Sequence, residues 1–227
     1  MAVTEIFSGT EAISTTEWSL TTDSAGPDSE ASDHAVQVVI ELEDATYNDD
    51  LELKMYETCR SGGTQRLCAK WPMIGDQRTF ISPIFPMLWG WDFTLDAFVG
   101  TITANWSIRS LGTPTLYVDG VETVSTTEHS LTTDTAGPDS TTDDKGIMAF
   151  LDFSTLDDGD HFRVKVYEKS RSGDTQRQVG APFDIKDGRS DPMLLIPLQA
   201  FLHGWDITVD KIAGTDRSIE WSLRAFA

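Results

Sequence analysis

Residues 14–29 read STTEWSLTTDSAGPDS, and residues 125–140 read STTEHSLTTDTAGPDS. At a shift of 111 residues only two positions differ, Trp18/His129 and Ser24/Thr135. The match extends in both directions. Thr4, Gly9 and Ser14 correspond to Thr115, Gly120 and Ser125, and residues 56–66 (YETCRSGGTQR) correspond to 167–177 (YEKSRSGDTQR). The shift grows to 114 at Gly90-Trp91-Asp92 and Gly204-Trp205-Asp206, then to 115 at Trp106 and Trp221. Such additions are expected between strands, where length changes are tolerated. The chain is therefore a tandem duplication, 1–111 and 112–227. Residues 110–114 (SLGTP) form a short linker, expected to be stiff and to hold the two halves in one orientation.

Each copy reads as short strands between turn signals. In the first, residues 34–42 (HAVQVVIEL) are β-branched and mostly apolar. Leu51, Leu53 and Met55 alternate with Glu52 and Lys54, the period of a half-buried strand. Phe162, Val164 and Val166 repeat the pattern. Trp91, Phe93 and Leu95 alternate with Asp92, Thr94 and Asp96, as Trp205, Ile207 and Val209 do with their own polar neighbours. SGGT at 61–64 and SGDT at 172–175 read as hairpin loops. Pro83, Pro86, Pro192 and Pro197 assign their segments to sheet edges or kinks. No amphipathic helical pattern of useful length appears. Seven or eight strands per copy predict an all-β protein of two β-sandwich, jelly-roll-like domains. Leu53, Trp91 and Trp106 are expected in one core, and Val164, Trp205 and Trp221 in the other.

The 227 residues carry 37 acidic and 17 basic side chains, a formal charge of −20. That field repels phosphate backbones and anionic bilayers, which argues against nucleic-acid and membrane partners. It suits a well-solvated surface that meets a basic partner. No secretion signal is read at the start of the chain. The longest apolar stretch, 192–205, is too short and interrupted for a membrane span. Cys59 and Cys68 have Ser170 and Val179 as counterparts. They read as thiols, with a cross-strand disulfide as the alternative.

Candidate chemistry is sparse. The histidines do not repeat: His34, His129, His161 and His203 face Lys145, Trp18, Asp50 and Trp89. Neither metal-ligand spacing, nucleophile elbow nor phosphate loop is present. Asp23, Asp28 and Asp33 recur as Asp134, Asp139 and Asp144. Oxygen-rich loops hold calcium, but the spaced ligand ladder is missing here, and Ala-Gly-Pro-Asp reads first as a turn. Glu57, Arg60 and Arg66 recur as Glu168, Arg171 and Arg177. The simpler reading is a device that sets hairpin register. The functional one makes Arg60, Arg66, Arg171 and Arg177 protein-contact loops, since arginine grips carboxylates bidentately.

STTEWSLTTD at 14–23, YEKSRSGDTQR at 167–177, HGWDITV at 203–209 and AGTDRSIEWSLR at 213–224 resemble small β-rich proteins encoded by tailed bacteriophages. The resemblance covers nearly the whole chain, once per half. It departs in the first half, where residues 101–105 stand in place of 215–219 and Cys59 in place of Ser170. It implies a non-enzymatic virion component without a cofactor, assembled in the host cytoplasm. The expected role is a capsid decoration or cement protein that contacts the major capsid protein or another virion protein. A homo-oligomer, a trimer first, is expected. The alternative is a carbohydrate- or receptor-binding module of a tail or head fibre. That alternative requires at least one tryptophan face open in a groove.

Overall fold

The computed structural model describes residues 3–43, 50–73, 78–188 and 192–226. The chain separates into two compact units, one ending at Pro114 and the other spanning Thr115–Phe226. Among the described residues there is no helix.

The first unit contains β1 (Thr4–Ile13), β2 (Trp18–Ser19), β3 (Ser24–Ala25), β4 (His34–Glu43) and β5 (Leu51–Thr58). It continues with β6 (Gln65–Met73), β7 (Thr79–Ile81), β8 (Phe85–Met87), β9 (Asp92–Ala97) and β10 (Ile102–Ser110). One antiparallel sheet runs β1-β10-β4-β7, with β8 also on β4. The other runs β3-β2-β9-β5-β6. Take β2 with β3 as one hairpin, and β7 with β8 as one strand interrupted at Ser82-Pro83. The first strand then pairs with the last and the second with the next to last. This is the strand order of an eight-stranded jelly roll.

The second unit repeats it with β11 (Thr115–Val124), β12 (His129–Ser130), β13 (Thr135–Ala136), β14 (Lys145–Asp152) and β15 (His161–Glu168). β16 (Arg177–Gln178), β17 (Phe183–Lys186), β18 (Met193–Phe201), β19 (Trp205–Ala213) and β20 (Arg217–Ala225) complete it. Its sheets run β11-β20-β14-β18 and β13-β12-β19-β15-β16, with β17 also on β15. The copies differ in where a strand is broken. β6 runs unbroken along β5, whereas its counterpart is split into β16 and β17 around Gly180 and Pro182. The strand at the far edge of the other sheet is split in the first unit and continuous as β18 in the second. Pro86 and Pro197 both sit in these edge strands, where a missing N–H costs no ladder bond.

The segment read as a linker begins inside the first unit. Leu111 donates its N–H to Ala35 and Gly112 accepts from the Ala35 N–H, at 2.7 and 2.8 Å.

Period-two alternation places the cores as expected. Leu53, Trp91, Phe93 and Trp106 are buried between the sheets of the first unit, and Val164, Trp205, Ile207 and Trp221 between those of the second. Trp106 is 4% and Trp221 0% exposed. Each indole lies across the strand beside it, above a glycine: Gly9 is the register partner of Trp106, and Gly120 that of Trp221. A Cβ on either glycine would stand 2.4 Å from a ring carbon. Each indole N–H also crosses to the second sheet's first hairpin, donating to the carbonyl of Leu20 or Leu131 at 3.2 Å. Those leucines belong to the duplicated stretch, so its position is tied to the tryptophan of the last strand.

Candidate functional site

The duplicated stretch forms the β2–β3 hairpin and the loop after it, and one buried aspartate organises both. Asp92 opens β9 and is 0% exposed. Its Oδ1 accepts from Ser19 Oγ at 3.1 Å and Thr21 Oγ1 at 2.7 Å, and its Oδ2 accepts from the Asp28 N–H at 2.9 Å. Asp206 does the same with Ser130 at 2.9 Å, Thr132 at 2.7 Å and the Asp139 N–H at 2.7 Å. Burial pushes both carboxyls above the usual range, against the pull of these donors. At the exposed side of the same loop, Asp28 accepts from Thr22 and Ser24, and Asp139 from Thr133 and Thr135. Those hydroxyls hold both carboxyls below the usual range.

The third repeated aspartate turns the chain. Asp23 and Asp134 have φ of 54° and 56°, a region that aspartate enters more readily than most residues. Their Oδ1 atoms accept from the Trp18 Nε1 and meet the His129 Nε2, both at 3.1 Å. Gly26-Pro27 and Gly137-Pro138 are both cis. Of the aspartates considered for calcium, Asp23, Asp28, Asp134 and Asp139 therefore serve the turn, and Asp144 accepts from the His203 N–H at 3.4 Å. Among the described residues, no group of three or more His, Cys, Asp or Glu is placed to hold a metal ion.

A second polar network flanks the first on the same sheet. Lys54 Nζ lies 3.0 Å from Asp96 and 3.5 Å from Glu17, and Thr94 donates to Glu17 at 2.5 Å. Lys165 Nζ lies 2.8 Å from Asp210 and 3.2 Å from Glu128, which also accepts from Thr208 at 2.5 Å and Tyr167 at 2.9 Å. Burial, then the Glu128 carboxylate, pushes the Tyr167 hydroxyl up to about 12. In each unit one ammonium sits between two carboxylates, which offsets part of the cost of their partial burial.

The arginine hairpins reach the same end of each unit as the repeated loops. Gln65 donates to the Asp28 carbonyl at 2.7 Å and the Gly90 carbonyl at 3.3 Å, and Thr58 donates to Gly90 at 3.2 Å. In the second unit Lys169 donates its N–H to the Gly204 carbonyl, and Glu168 accepts from the Leu202 N–H, both at 2.9 Å. Glu57 sits directly across the ladder from Arg66, and Glu168 from Arg177, a register that sets opposite charges side by side. Exposure separates the copies. Arg60 and Arg66 are half-buried, while Arg171 and Arg177 are exposed, with Arg171 held to Asp174 at 3.0 Å.

The remaining sequence candidates are not brought together. Cys59 and Cys68 lie buried as thiols. His34 meets Ser110, His129 meets Asp134 and His161 meets Asp184, each in a different part of the fold. Of the seven tryptophans, Trp91, Trp106, Trp205 and Trp221 are buried, and Trp18, Trp71 and Trp89 are half-buried. Sequence reasoning missed Asp92 and Asp206, whose signal is an aspartate after Gly-Trp in both copies.

No protein-family model and no curated protein matches the sequence. Among solved structures, the chain is similar to the PBSX exported protein XepA. Identity is 9% and the TM-score 0.34, over 99% of this chain and 86% of that one. It is similar to the CBM22-1-CBM22-2 tandem domain of Paenibacillus barcinonensis Xyn10C at 10% identity and a TM-score of 0.28, over 92% and 82%. A chain of infectious bursal disease virus, Gx strain, matches at 11% identity and 0.25, over 99% and 70%. Scores of this size carry no functional argument.

Proposed function

We propose that the protein is a non-enzymatic structural component of a virion, a decoration or cement protein of the head that docks on the major capsid protein. The observation that carries this reading is the use made of the repeated side chains. The serines, threonines, aspartates and tryptophans described above are engaged within their own jelly roll, where they fix a hairpin and one set of loops. Such a frame presents a surface. Jelly rolls serve in both viral shells and lectins, so fold alone does not choose between them. Sugar stacking needs an open ring face, which the buried Trp91, Trp106, Trp205 and Trp221 do not offer, while Trp18, Trp71 and Trp89 are half-buried.

The charge of −20 keeps the chain dispersed before docking and draws it to a basic surface. Two similar rolls per chain make a trimer the fitting assembly. Three chains carry six similar units, which match the threefold and sixfold positions of an icosahedral shell, and closed cyclic symmetry ends growth. Multivalent docking then raises avidity from modest single contacts. Sedimentation equilibrium of the purified chain tests this. A species of three times 25.1 kDa is expected, whereas a single 25.1 kDa species at all concentrations would remove the trimer.

A further inference from the structure

The two units carry an equivalent outward row on one sheet, and they differ in whether it is buried. On β4 and β10 the row is Gln37, Val39 and Glu41 beside Arg109, Ser107 and Asn105. On β14 and β20 it is Met148, Phe150 and Asp152 beside Arg224, Ser222 and Glu220. The local geometry repeats: Arg109 Nε donates to Ser107 Oγ at 3.4 Å, and Arg224 Nε to Ser222 Oγ at 3.0 Å. In the second unit Met148 is 2% exposed, and Phe150, Ser222 and Arg224 are 0% exposed. The Arg224 guanidinium lies 3.9 Å from the centre of the Phe150 ring. In the first unit Glu41 and Arg109 are exposed, and Val39, Asn105 and Ser107 are half-buried around a shallow depression of about 170 Å³. A row of this make-up can thus be buried in this fold, guanidinium included, and the first unit leaves its own row open.

The arginine hairpins show the opposite asymmetry. Arg60 and Arg66 are half-buried, whereas Arg171, Arg177 and Val179 are exposed. Residues 167–179 (YEKSRSGDTQRQV) carry three basic and two acidic side chains, a net positive segment in a chain of charge −20. The open row of the first unit is acidic instead. Glu5 accepts from Ser107 at 2.7 Å and Glu43 from Asn105 at 2.8 Å, so both carboxylates join Glu41 on that face, around Arg109. Hairpin and face are complementary in charge, and the chain opens the hairpin in one unit and the face in the other.

We infer that copies of this chain join head to tail: the second unit's arginine hairpin of one copy docks on the outer β1-β10-β4 face of the first unit of the next. This inference rests on the trimer reading above and gives it a surface. Arg171 and Arg177 meet Glu41 and Glu43, with planar forks suited to carboxylates. Val179 meets Val39. A chain with one surface of each kind makes a heterologous contact, which closes into a ring when the rotation allows it.

The test is sedimentation equilibrium of the full chain and its charge-reversed forms. Arg171→Glu with Arg177→Glu reverses the hairpin, and Glu41→Arg with Glu43→Arg reverses the face. Each pair of changes should weaken self-association about a hundredfold, because like charges then meet. Mixed one to one, the two forms retain one intact hairpin and one intact face between them, and should pair and stop at two copies. All four changes in one chain should restore association. Pairing in the mixture also shows that each variant is folded. Wild-type trimers with variants that associate equally well would overturn the inference and leave the trimer reading standing. Wild-type chains that grow into open oligomers, and that the variants disrupt, would remove the trimer and keep the head-to-tail contact. Weakened variants that neither pair nor recover together would overturn it, as would a wild-type monomer at all concentrations.

Discussion

Trp221→Ala is expected to lower the stability of the second unit by about 3–5 kcal/mol, the cost of a large buried aromatic and the void it leaves. Part of that loss is the bond to the Leu131 carbonyl, which fixes the hairpin to the last strand. The partner experiment is Gly120→Ala. With the indole in place, the new methyl would stand 2.4 Å from its ring, so overpacking should cost about 1–3 kcal/mol or more. In the Trp221→Ala background the same change should cost almost nothing, because the ring is gone. The double-mutant cycle should therefore show a coupling of about 1–3 kcal/mol, read from urea denaturation with NMR reporters in each unit. Additive costs would mean that Gly120 is not there to admit the indole.

Asp206→Ala should cost about 2–4 kcal/mol, in a different way. Two opposing effects meet at this carboxylate. Burial raises its pKa, so the charge itself is expensive to hold. Its removal strands the Asp139 N–H and leaves the Ser130 and Thr132 hydroxyls, 3.1 Å apart, to bond to each other with one donor unmet, a stranded buried donor being worth about 1–3 kcal/mol. These losses outweigh one relieved desolvation. Asp206→Asn keeps the shape but turns an amide NH2 toward a donor, and should fall between alanine and wild type. The checks are thermal melts and hydrogen exchange at Asp139, whose amide should lose protection. A stable Asp206→Ala with a protected Asp139 amide would refute this role, and Asp92 would then need the same reassessment.

Much of the architecture is legible in the amino-acid sequence. Alternation at Leu53, Trp91 and Trp106 marks inward faces, the glycine loops mark hairpins, and prolines mark edges. These are local signals, and here the tertiary fold agrees with them. Asp92 and Asp206 are less legible because alternation marks them only as facing outward. In this fold residues 19–28 bring Ser19, Thr21 and the Asp28 N–H onto Asp92, so the polar side chain is buried after all. Coverage by a distant segment leaves no periodic trace. The segment 110–112 escapes a sequence reading for a related reason: composition shows a turn-rich stretch but not the backbone bonds that draw it to Ala35. The arginine hairpins are legible as loops, yet their unequal exposure depends on neighbouring segments. The Trp18/His129 difference is visible as text, and only packing shows the imidazole edge-on to Trp221.

Quantitative mass spectrometry of purified particles against the capsid subunit, with native mass measurement of the species they release, tests whether this chain is a building part of a virus particle. The chain is expected at a fixed ratio to the capsid subunit, released as a trimer. Its absence from purified particles, with a monomer in solution, would contradict the proposed structural role.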